Sequence, residues 1–384
     1  METKVILILG GYGNTGRPLA RLLLQESDAQ LILAGRNQAK AESFAAELNH
    51  AFTGNRARGI YADASDEAQL RQAFAGVDLV VVASSTTRYT RQVASAALAT
   101  RIGYLDIQYS TQKISLLKSM AERIRQAGCC FITDAGFHPG LPALLVRYVA
   151  QSFDRLKRAR VGSVIKEDWK RLEVGESAID ELVDLINDYQ MSVFKDGEWH
   201  KVSLFSTSDY IRMDFRGQFG KQYCAPMMLE EMSTLPELFP SLEETGFYVG
   251  SFNWFVDWII MPISIVAMKL WPQAAKRPMS KWIHWGLNTF SKPPYGTLLK
   301  VEASGEENGR PKAVSVIISH PDGYLFTAIP VAACLLQYMD GSINLPGLWT
   351  QAHIVEPVRF IKDMQRMGIE VQRKDRGSNE VEQE

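Results

Sequence analysis

The chain has 384 residues, with 42 Lys and Arg against 43 Asp and Glu, a formal net charge of −1. That length predicts two domains at roughly 100–200 residues each, and the even charge excludes a nucleic-acid binder, whose footprint is a basic excess. Six scattered His and four Cys without C-x-x-C spacing predict no metal site and buried thiols in a reducing, cytoplasmic setting.

The first 36 residues organise the rest. An apolar run, Val5-Ile6-Leu7-Ile8-Leu9, leads into Gly11-Tyr12-Gly13-Asn14-Thr15-Gly16, a helical pattern follows from Arg17 to Leu24, and a second apolar run, Leu31 to Ala34, ends at Gly35-Arg36. This is a βαβ unit with glycines at 11, 13 and 16 in the pattern G-x-G-x-x-G, the signature of dinucleotide binding. Gly11 is expected to allow the tight turn, Gly13 to let the backbone approach a pyrophosphate, and Gly16 to let the helix pack on the strand. Asn14 and Thr15 then lie at the helix N-terminus, whose N–H groups and partial positive charge suit phosphates. The second strand ends in Ala34-Gly35-Arg36-Asn37 without an acid. An NAD site places a carboxylate there for the ribose hydroxyls. Arg36 instead suits a 2′-phosphate, with Asn37 as a further donor and Lys40 one turn on, so the expected cofactor is NADP.

The βα rhythm continues through a helix at 38–49, a strand at 58–63 and a helix at 66–75 capped by Ser65. Asp63 stands where an acid meets the adenine end of a cofactor, or else serves the next helix as a cap. The run 77–83 is apolar almost throughout, as a strand buried on both faces should be. Ser84, Ser85 and Thr86 follow at its carboxyl end, where ligands sit in an open α/β sheet and small hydroxyl residues leave room for the nicotinamide ribose. A helix at 88–101, a strand at 104–107, a helix at 111–127 and a sixth strand at 129–133 complete a doubly wound Rossmann domain over 1–135.

Residues 134–142, with Gly136, Pro139, Gly140 and Pro142, form a loop that feeds a helix at 141–152. Strands at 161–165, 191–194, 298–303 and 312–319, a turn at 305–310 and a helix at 176–189 predict an α+β substrate and dimerisation domain over 136–339, built on a mainly antiparallel sheet. Residues 252–271 are mostly apolar with tryptophans near both ends, but Asp257, Pro262 and Lys269 interrupt a span. They suit peripheral contact with a membrane surface, a subunit interface, or a buried helix pair. A helix at 326–339, a loop at 345–350, a helix at 357–367 and a strand at 368–372 follow; 340–372 is expected to pack back on the first domain and 373–384 to be disordered.

Four stretches together resemble the saccharopine dehydrogenase-like oxidoreductases, in the branch with saccharopine reductase and carboxynorspermidine dehydrogenase. They are the Gly11–Gly16 fingerprint with Ala34-Gly35-Arg36, Tyr104-Leu105-Asp106, Gly136-Phe137-His138-Pro139-Gly140, and the ending from Thr327 to Leu345-Pro346-Gly347-Leu348-Trp349-Thr350. The resemblance implies pyridine-nucleotide chemistry at a carbon–nitrogen bond, an inserted substrate domain and a returning C-terminal segment. Catalytic members of the family usually read Gly-x-Asp-Pro-Gly where this chain has His138 in place of the acid. A proton must move with a hydride, and His138 is the first candidate acid/base, with Tyr109 second. Tyr109 and Lys113 also fit Y-x-x-x-K, but Tyr109 follows a strand by two residues rather than lying well inside a helix, so that match reads as coincidence. The expectation is an NADP(H)-dependent oxidoreductase acting at a carbon–nitrogen or carbonyl carbon of a small molecule, as a homodimer. The alternative is a non-catalytic nucleotide-binding or membrane-surface scaffold.

Overall fold

The structure, a computed structural model, describes residues 3–170, 189–203, 208–217, 219–250 and 252–376. The expected helix at 176–189 lies almost entirely outside the described residues, as does the whole of the tail after 376. The chain divides into two units, Met1–Leu141 with Tyr324–Met367, and Pro142–Gly323 with Gly368–Glu384.

In the first unit β1 (Val5–Leu9), β2 (Gln30–Gly35), β3 (Ala57–Tyr61), β4 (Leu79–Val82), β5 (Gly103–Asp106) and β6 (Cys130–Thr133) alternate with α1 (Gly16–Glu26), α2 (Gln38–Ala51), α3 (Glu67–Ala73), α4 (Thr90–Thr100) and α5 (Thr111–Gln126). The strands are parallel in the order 3-2-1-4-5-6, the doubly wound Rossmann arrangement. Every residue of β4, β5 and β6 is buried; β4 accordingly reads as an unbroken apolar run, whereas β5 and β6 end in the buried polar residues Asp106 and Thr133. Strand order reverses between β1 and β4, and the carboxyl ends of those two strands are the expected ligand edge.

Three sequence expectations need correction here. Residues 345–350 are not all loop: β15 (Gly347–Thr350) pairs parallel with β6, Gly347 opposite Cys130 and Thr350 opposite Thr133, and adds a seventh strand. The N-cap of α3 is Asp66, which accepts from the Gln69 N–H at 3.0 Å, one residue beyond the expected Ser65. The helix Gly323–Met339, expected in the second domain, belongs with the first unit from Tyr324 onward.

The second unit follows α6 (Pro142–Ala150) with β7 (Arg155–Lys166), β8 (Ser192–Lys195), β9 (Glu198–Lys201), β10 (Ile211–Asp214), β11 (Lys221–Met227), β12 (Glu244–Gly250), β13 (Gly296–Glu307), β14 (Arg310–His320) and β16 (Glu370–Arg376). They form one sheet in the order β10-β11-β12-β7-β13-β14-β16, with β8 and β9 beside β12. Every pairing is antiparallel except β12 with β7. The β13–β14 hairpin turns on Asn308 and Gly309, both at positive φ (52° and 71°), while Glu307 pairs with Arg310. This is the two-residue turn that an Asn-Gly pair favours, shorter than the expected 305–310. Gly305 is instead a strand residue at a register shift, where a Cβ would stand 2.1 Å from the Arg155 carbonyl. Residues 373–376, expected in a disordered tail, are strand: Arg373 to Arg376 pair with Val316 to Ala313. The charges there belong to an edge strand, the position at which sheets tolerate them.

Between β12 and β13 a π-helical turn (Val256–Ile260) runs into α7 (Met261–Leu270) and then α8 (Pro272–Phe290).

Candidate nucleotide-binding site

β1 delivers the chain to Gly10 at φ +83°, a conformation that L side chains rarely adopt. A Cβ there would also lie 2.6 Å from the Ala83 carbonyl oxygen, so the turn passes hard against the end of β4. The tight-turn role assigned to Gly11 therefore belongs to Gly10. Gly11 serves packing instead, its missing Cβ falling 3.0 Å from Leu33 Cα on β2. Gly13 donates to Gly10 O at 2.8 Å and accepts from Arg17 N at 2.9 Å. A Cβ on Gly13 would meet only Gly10 O, at 3.1 Å, which leaves its other side open for close approach. Gly16 is the crowded position, with a Cβ 2.1 Å from Gly10 O and 2.8 Å from Gly11 Cα. The space that Gly16 leaves is therefore filled by the backbone of the turn, Gly10 and Gly11, rather than by β1.

Thr15 is the N-cap of α1 and makes no side-chain capping bond, and no acid lies in the first turn. Of the first turn, Arg17 N–H is taken by Gly13 O, Leu19 N–H by Thr15 O and Pro18 has none, so Gly16 N–H is the donor left for a ligand, and no acid there repels an anion. The neighbouring Asn14 donates from Nδ2 to Tyr324 Oη at 3.0 Å, a link across 310 residues that the sequence did not signal.

Tyr12, the variable residue between the first two glycines, sets the far end of the site. Its hydroxyl accepts from the Asn37 N–H at 2.9 Å, and its ring lies so close to Gly35 that a Cβ there would fall 2.6 Å from the hydroxyl. The side chain of Asn37 caps α2 by accepting from Lys40 N at 2.9 Å, so its Oδ1 is engaged while its amide Nδ2 can still donate. Arg36 is exposed beside it. Asp63 accepts from both the N–H and the hydroxyl of Ser65, at 2.9 and 2.8 Å. These bonds lower its pKa first, and the Arg36 and Arg88 guanidiniums lower it further. Asp63 thus shapes a turn and caps no helix, and its carboxylate stands in the field of two arginines. Arg88, which nothing in its local sequence marks as a site residue, joins Arg36 as a cation at this edge.

At the end of β4 the hydroxyls of Ser84 and Thr86 lie 3.0 Å apart, and Ser85 is exposed. Gln108 donates to the Ser84 carbonyl oxygen and, at 3.4 Å, to Thr86 Oγ1. The turn after β4 is thereby fastened to the turn after β5.

Beneath these turns is a buried ion cluster. Lys113 donates to Asp106 Oδ1 at 2.6 Å, to Asp134 Oδ1 at 2.8 Å and to the Gln108 carbonyl oxygen. Thr133 Oγ1 donates to Asp106 Oδ2 at 2.9 Å. All three ammonium protons are engaged, so none remains for Tyr109, which accords with reading Y-x-x-x-K as coincidence. Burial alone would push the Lys113 pKa down, but the two carboxylates more than reverse that and raise it above 10.5.

The loop after β6 is equally fixed. Asp134 sits at φ +55°, Gly136 at +117° and Gly140 at +120°. The buried Gln351 donates to the carbonyls of Gly136 and Gly140 at 3.0 and 3.3 Å and accepts from Gly136 N at 3.3 Å. Phe137 stacks on His138 and on Phe326, with ring centroids 5.4 and 5.0 Å apart. His138 and Tyr109 are each half-buried, with His138 Nε2 and Tyr109 Oη closed off from solvent. Burial pushes the His138 pKa down from 6.5 to about 4. The imidazole is therefore neutral near pH 7. In the unfolded chain it takes up a proton below pH 6.5, whereas the native protein does so only near pH 4. Stability present above pH 6.5 is then lost as the pH falls towards 4, by up to about 3 kcal/mol from this group. Urea unfolding of wild type and His138→Asn across that range should show this component in wild type and its absence in the variant.

Residues 6–129 match the family described as the Saccharopine dehydrogenase NADP binding domain. Among solved structures the chain resembles apo saccharopine dehydrogenase (L-Glu forming) from Saccharomyces cerevisiae, with a TM-score of 0.70 and 14% identity over 97% of this chain and 100% of that one. At that identity the likeness is one of fold. A dehydrogenase from Chromobacterium violaceum also aligns, over 96% of this chain and 94% of that one, at 11% identity and a TM-score of 0.47, too low to establish a shared fold. No curated protein sequence matches the chain. Residues 6–129 form an NADP-binding domain, and NADP is its cofactor.

Proposed function

We propose that this protein is an NADP(H)-dependent oxidoreductase of the saccharopine dehydrogenase-like type, acting at a carbon–nitrogen or carbonyl carbon of a small molecule. The observation that carries the reading is the glycine turn itself. Gly13 is open on one side, the α1 N-terminus is uncapped by its own side chain, and Arg36 lies exposed where a 2′-phosphate belongs. The nicotinamide supplies the hydride chemistry when bound. The chain's own residues hold the pyrophosphate at Gly13 and the α1 N-terminus, and Arg36 with Arg88 offers guanidinium donors at the adenosine end. Gln108 keeps the Ser84–Thr86 turn in place beside the ligand edge of β4.

His138 and Tyr109 remain the candidates for moving the proton. With its pKa near 4, His138 takes part as a neutral hydrogen-bonding imidazole rather than as an imidazolium acid, and Tyr109 offers the phenolic alternative. An acid limb near pH 6.5 in the rate profile that vanished in His138→Gln would restore the charged role. The order of the four motifs supports the branch with saccharopine reductase and carboxynorspermidine dehydrogenase. His138, in place of that family's acid, argues for a substrate other than saccharopine.

The test is a fluorescence titration with NADPH and with NADH, followed by a screen of imines and carbonyl compounds. NADPH should bind more tightly, and Arg36→Ala should lose about 10–100-fold for NADPH and little for NADH, the worth of a charge-assisted bond pair. Failure of wild type to bind either nucleotide would overturn the reading.

A further inference from the structure

The helical hairpin of the second unit, from Phe252 to Lys292, has two apolar sides. On the inner side Val256, Ile260, Met268, Ala275, Ile283 and Leu287 are buried against one another. The two arms cross closely enough that a Cβ on Gly286 would stand 2.4 Å from Ile260 Cδ1. Asn253 closes the base, accepting from Val256 N at 3.0 Å and donating to Ser291 Oγ at 3.3 Å. The hairpin therefore has its own core, against which Phe252, Phe255, Met261, Ile265, Ala267, Met279 and Trp282 also pack.

Seven large apolar side chains face outward. Trp254, Trp258, Leu270 and Trp271 are 61–64% exposed, and Ile263, Val266 and Trp285 are exposed with them. Trp254 with Trp258, and Val266 with Leu270, are four residues apart, the spacing of neighbours on one helical face. The rings are held in place: Phe255 and Phe290 stack at 4.4 Å, and Trp254 and Trp285 set their edges on Phe290 at 6.0 and 5.6 Å. Four tryptophans kept at the surface on an ordered frame mark a contact site rather than a scatter of apolar residues.

The charge pattern identifies what is contacted. Residues 252–292 hold five basic side chains, Lys269, Lys276, Arg277, Lys281 and Lys292, and one acid, Asp257, a net of +4 in a chain whose total is −1. Asp257 turns back on its own backbone, accepting from Phe252 N at 3.3 Å. Lys281 and Trp285, both exposed, are one helical turn apart. A second copy docking this face on itself, as a two-fold dimer does, would set +4 against +4. An anionic lipid surface satisfies both features, with tryptophan at the headgroup boundary and Lys/Arg on lipid phosphates. No helix among the described residues is long and apolar enough to cross a membrane. The longer arm, the 19 residues of α8, carries Lys276, Arg277 and Lys281, which suits a helix lying at the headgroups rather than one crossing the hydrocarbon core.

We propose that this hairpin docks the protein on an anionic lipid bilayer. Trp254, Trp258, Leu270 and Trp271 enter the interface, and Lys269, Arg277 and Lys281 meet the headgroups. The inference does not depend on the redox reading, since nucleotide binding is measured separately.

Full-length protein is sedimented with vesicles of phosphatidylcholine alone and of phosphatidylcholine mixed with phosphatidylglycerol. Binding to the mixed vesicles is expected, weakening with salt. Replacing Lys269, Arg277 and Lys281 together by Gln should reduce it on the order of 100-fold, about fivefold per charge. Trp254→Ser with Trp258→Ser should reduce it at least about tenfold. These positions lie outside the nucleotide-binding turn, so NADPH affinity should stay at the wild-type value in both variants, and melting should stay there in the Lys/Arg variant; Trp254→Ser loses only its edge contacts to Phe255 and Phe290. Absence of vesicle binding by the wild type, or binding that both variants retain, overturns the proposal. So does a dimer, seen by sedimentation velocity, that the tryptophan variant converts to monomer without vesicle binding by either protein; the face would then belong to a second copy.

Discussion

Gly13→Ala should fold normally and bind NADPH at least about 100-fold more weakly, a loss of ~3 kcal/mol. Gly16→Ala should lose both binding and stability. The two glycines are three residues apart in one turn, and the difference follows from what a methyl group meets at each. At Gly13 it meets a single atom, Gly10 O at 3.1 Å, which yields by a few tenths of an ångström. The added methyl instead occupies the open side, where the backbone must come close to a pyrophosphate. At Gly16 the methyl would lie 2.1 Å from Gly10 O and 2.8 Å from Gly11 Cα, both backbone atoms of the same turn. Neither can move without carrying the start of α1 away from β1, a strain of roughly 1–3 kcal/mol or more. Thermal melts paired with NADPH titrations separate the two effects. A Gly13→Ala protein that bound NADPH like wild type would show that the cofactor does not use this turn. A Gly16→Ala protein that melted like wild type would show that the helix has room to shift.

The same turn shows where local sequence was informative and where it was not. β1, β2 and β4 are visible because strands buried on both faces are apolar almost throughout, a property of each segment alone. The glycine fingerprint was visible because its spacing is local, though the Gly10-Gly11 pair hid which of the two takes positive φ. β15 was missed because its four residues follow Pro346 and owe their strand conformation to pairing with β6, more than 200 positions away. β16 was half lost to its charges, since Glu370–Arg376 has no apolar face to announce it and is held by its ladder to β14. In the site, Gln351 clamps the Gly136–Gly140 loop from 215 residues away, and nothing around Gln351 marks it as a loop anchor. Arg36 was legible by its place after a strand, whereas Arg88 becomes relevant only because the fold sets its charge, like that of Arg36, on Asp63.

Lys113→Met should destabilise the first unit by about 3–5 kcal/mol and loosen the nucleotide edge with it. Lys113, Asp106 and Asp134 have almost no exposed side-chain surface, so the lysine is the charge that makes two buried carboxylates tolerable. Methionine fills nearly the same volume but removes that charge and all three donors, leaving Asp106, Asp134 and the Gln108 carbonyl to face one another in a dry site. Gln108 is the member that reaches the ligand edge, through its bonds to Ser84 O and Thr86 Oγ1. NADPH affinity should therefore fall along with the melting temperature, whereas a change confined to packing would lower the melting temperature alone. The pH dependence has a definite sign. The native pKa of Lys113 lies above its ordinary value of 10.5, so its contribution is complete below that pH and is lost only as the pH rises through the native value. Between pH 6 and 9 the difference in unfolding free energy between wild type and Lys113→Met should carry no component from lysine titration, and above about 10.5 it should narrow. Urea unfolding of both proteins at neutral and strongly alkaline pH checks this. A Lys113→Met protein as stable as wild type at pH 7 would show that the lysine does not hold this cluster together.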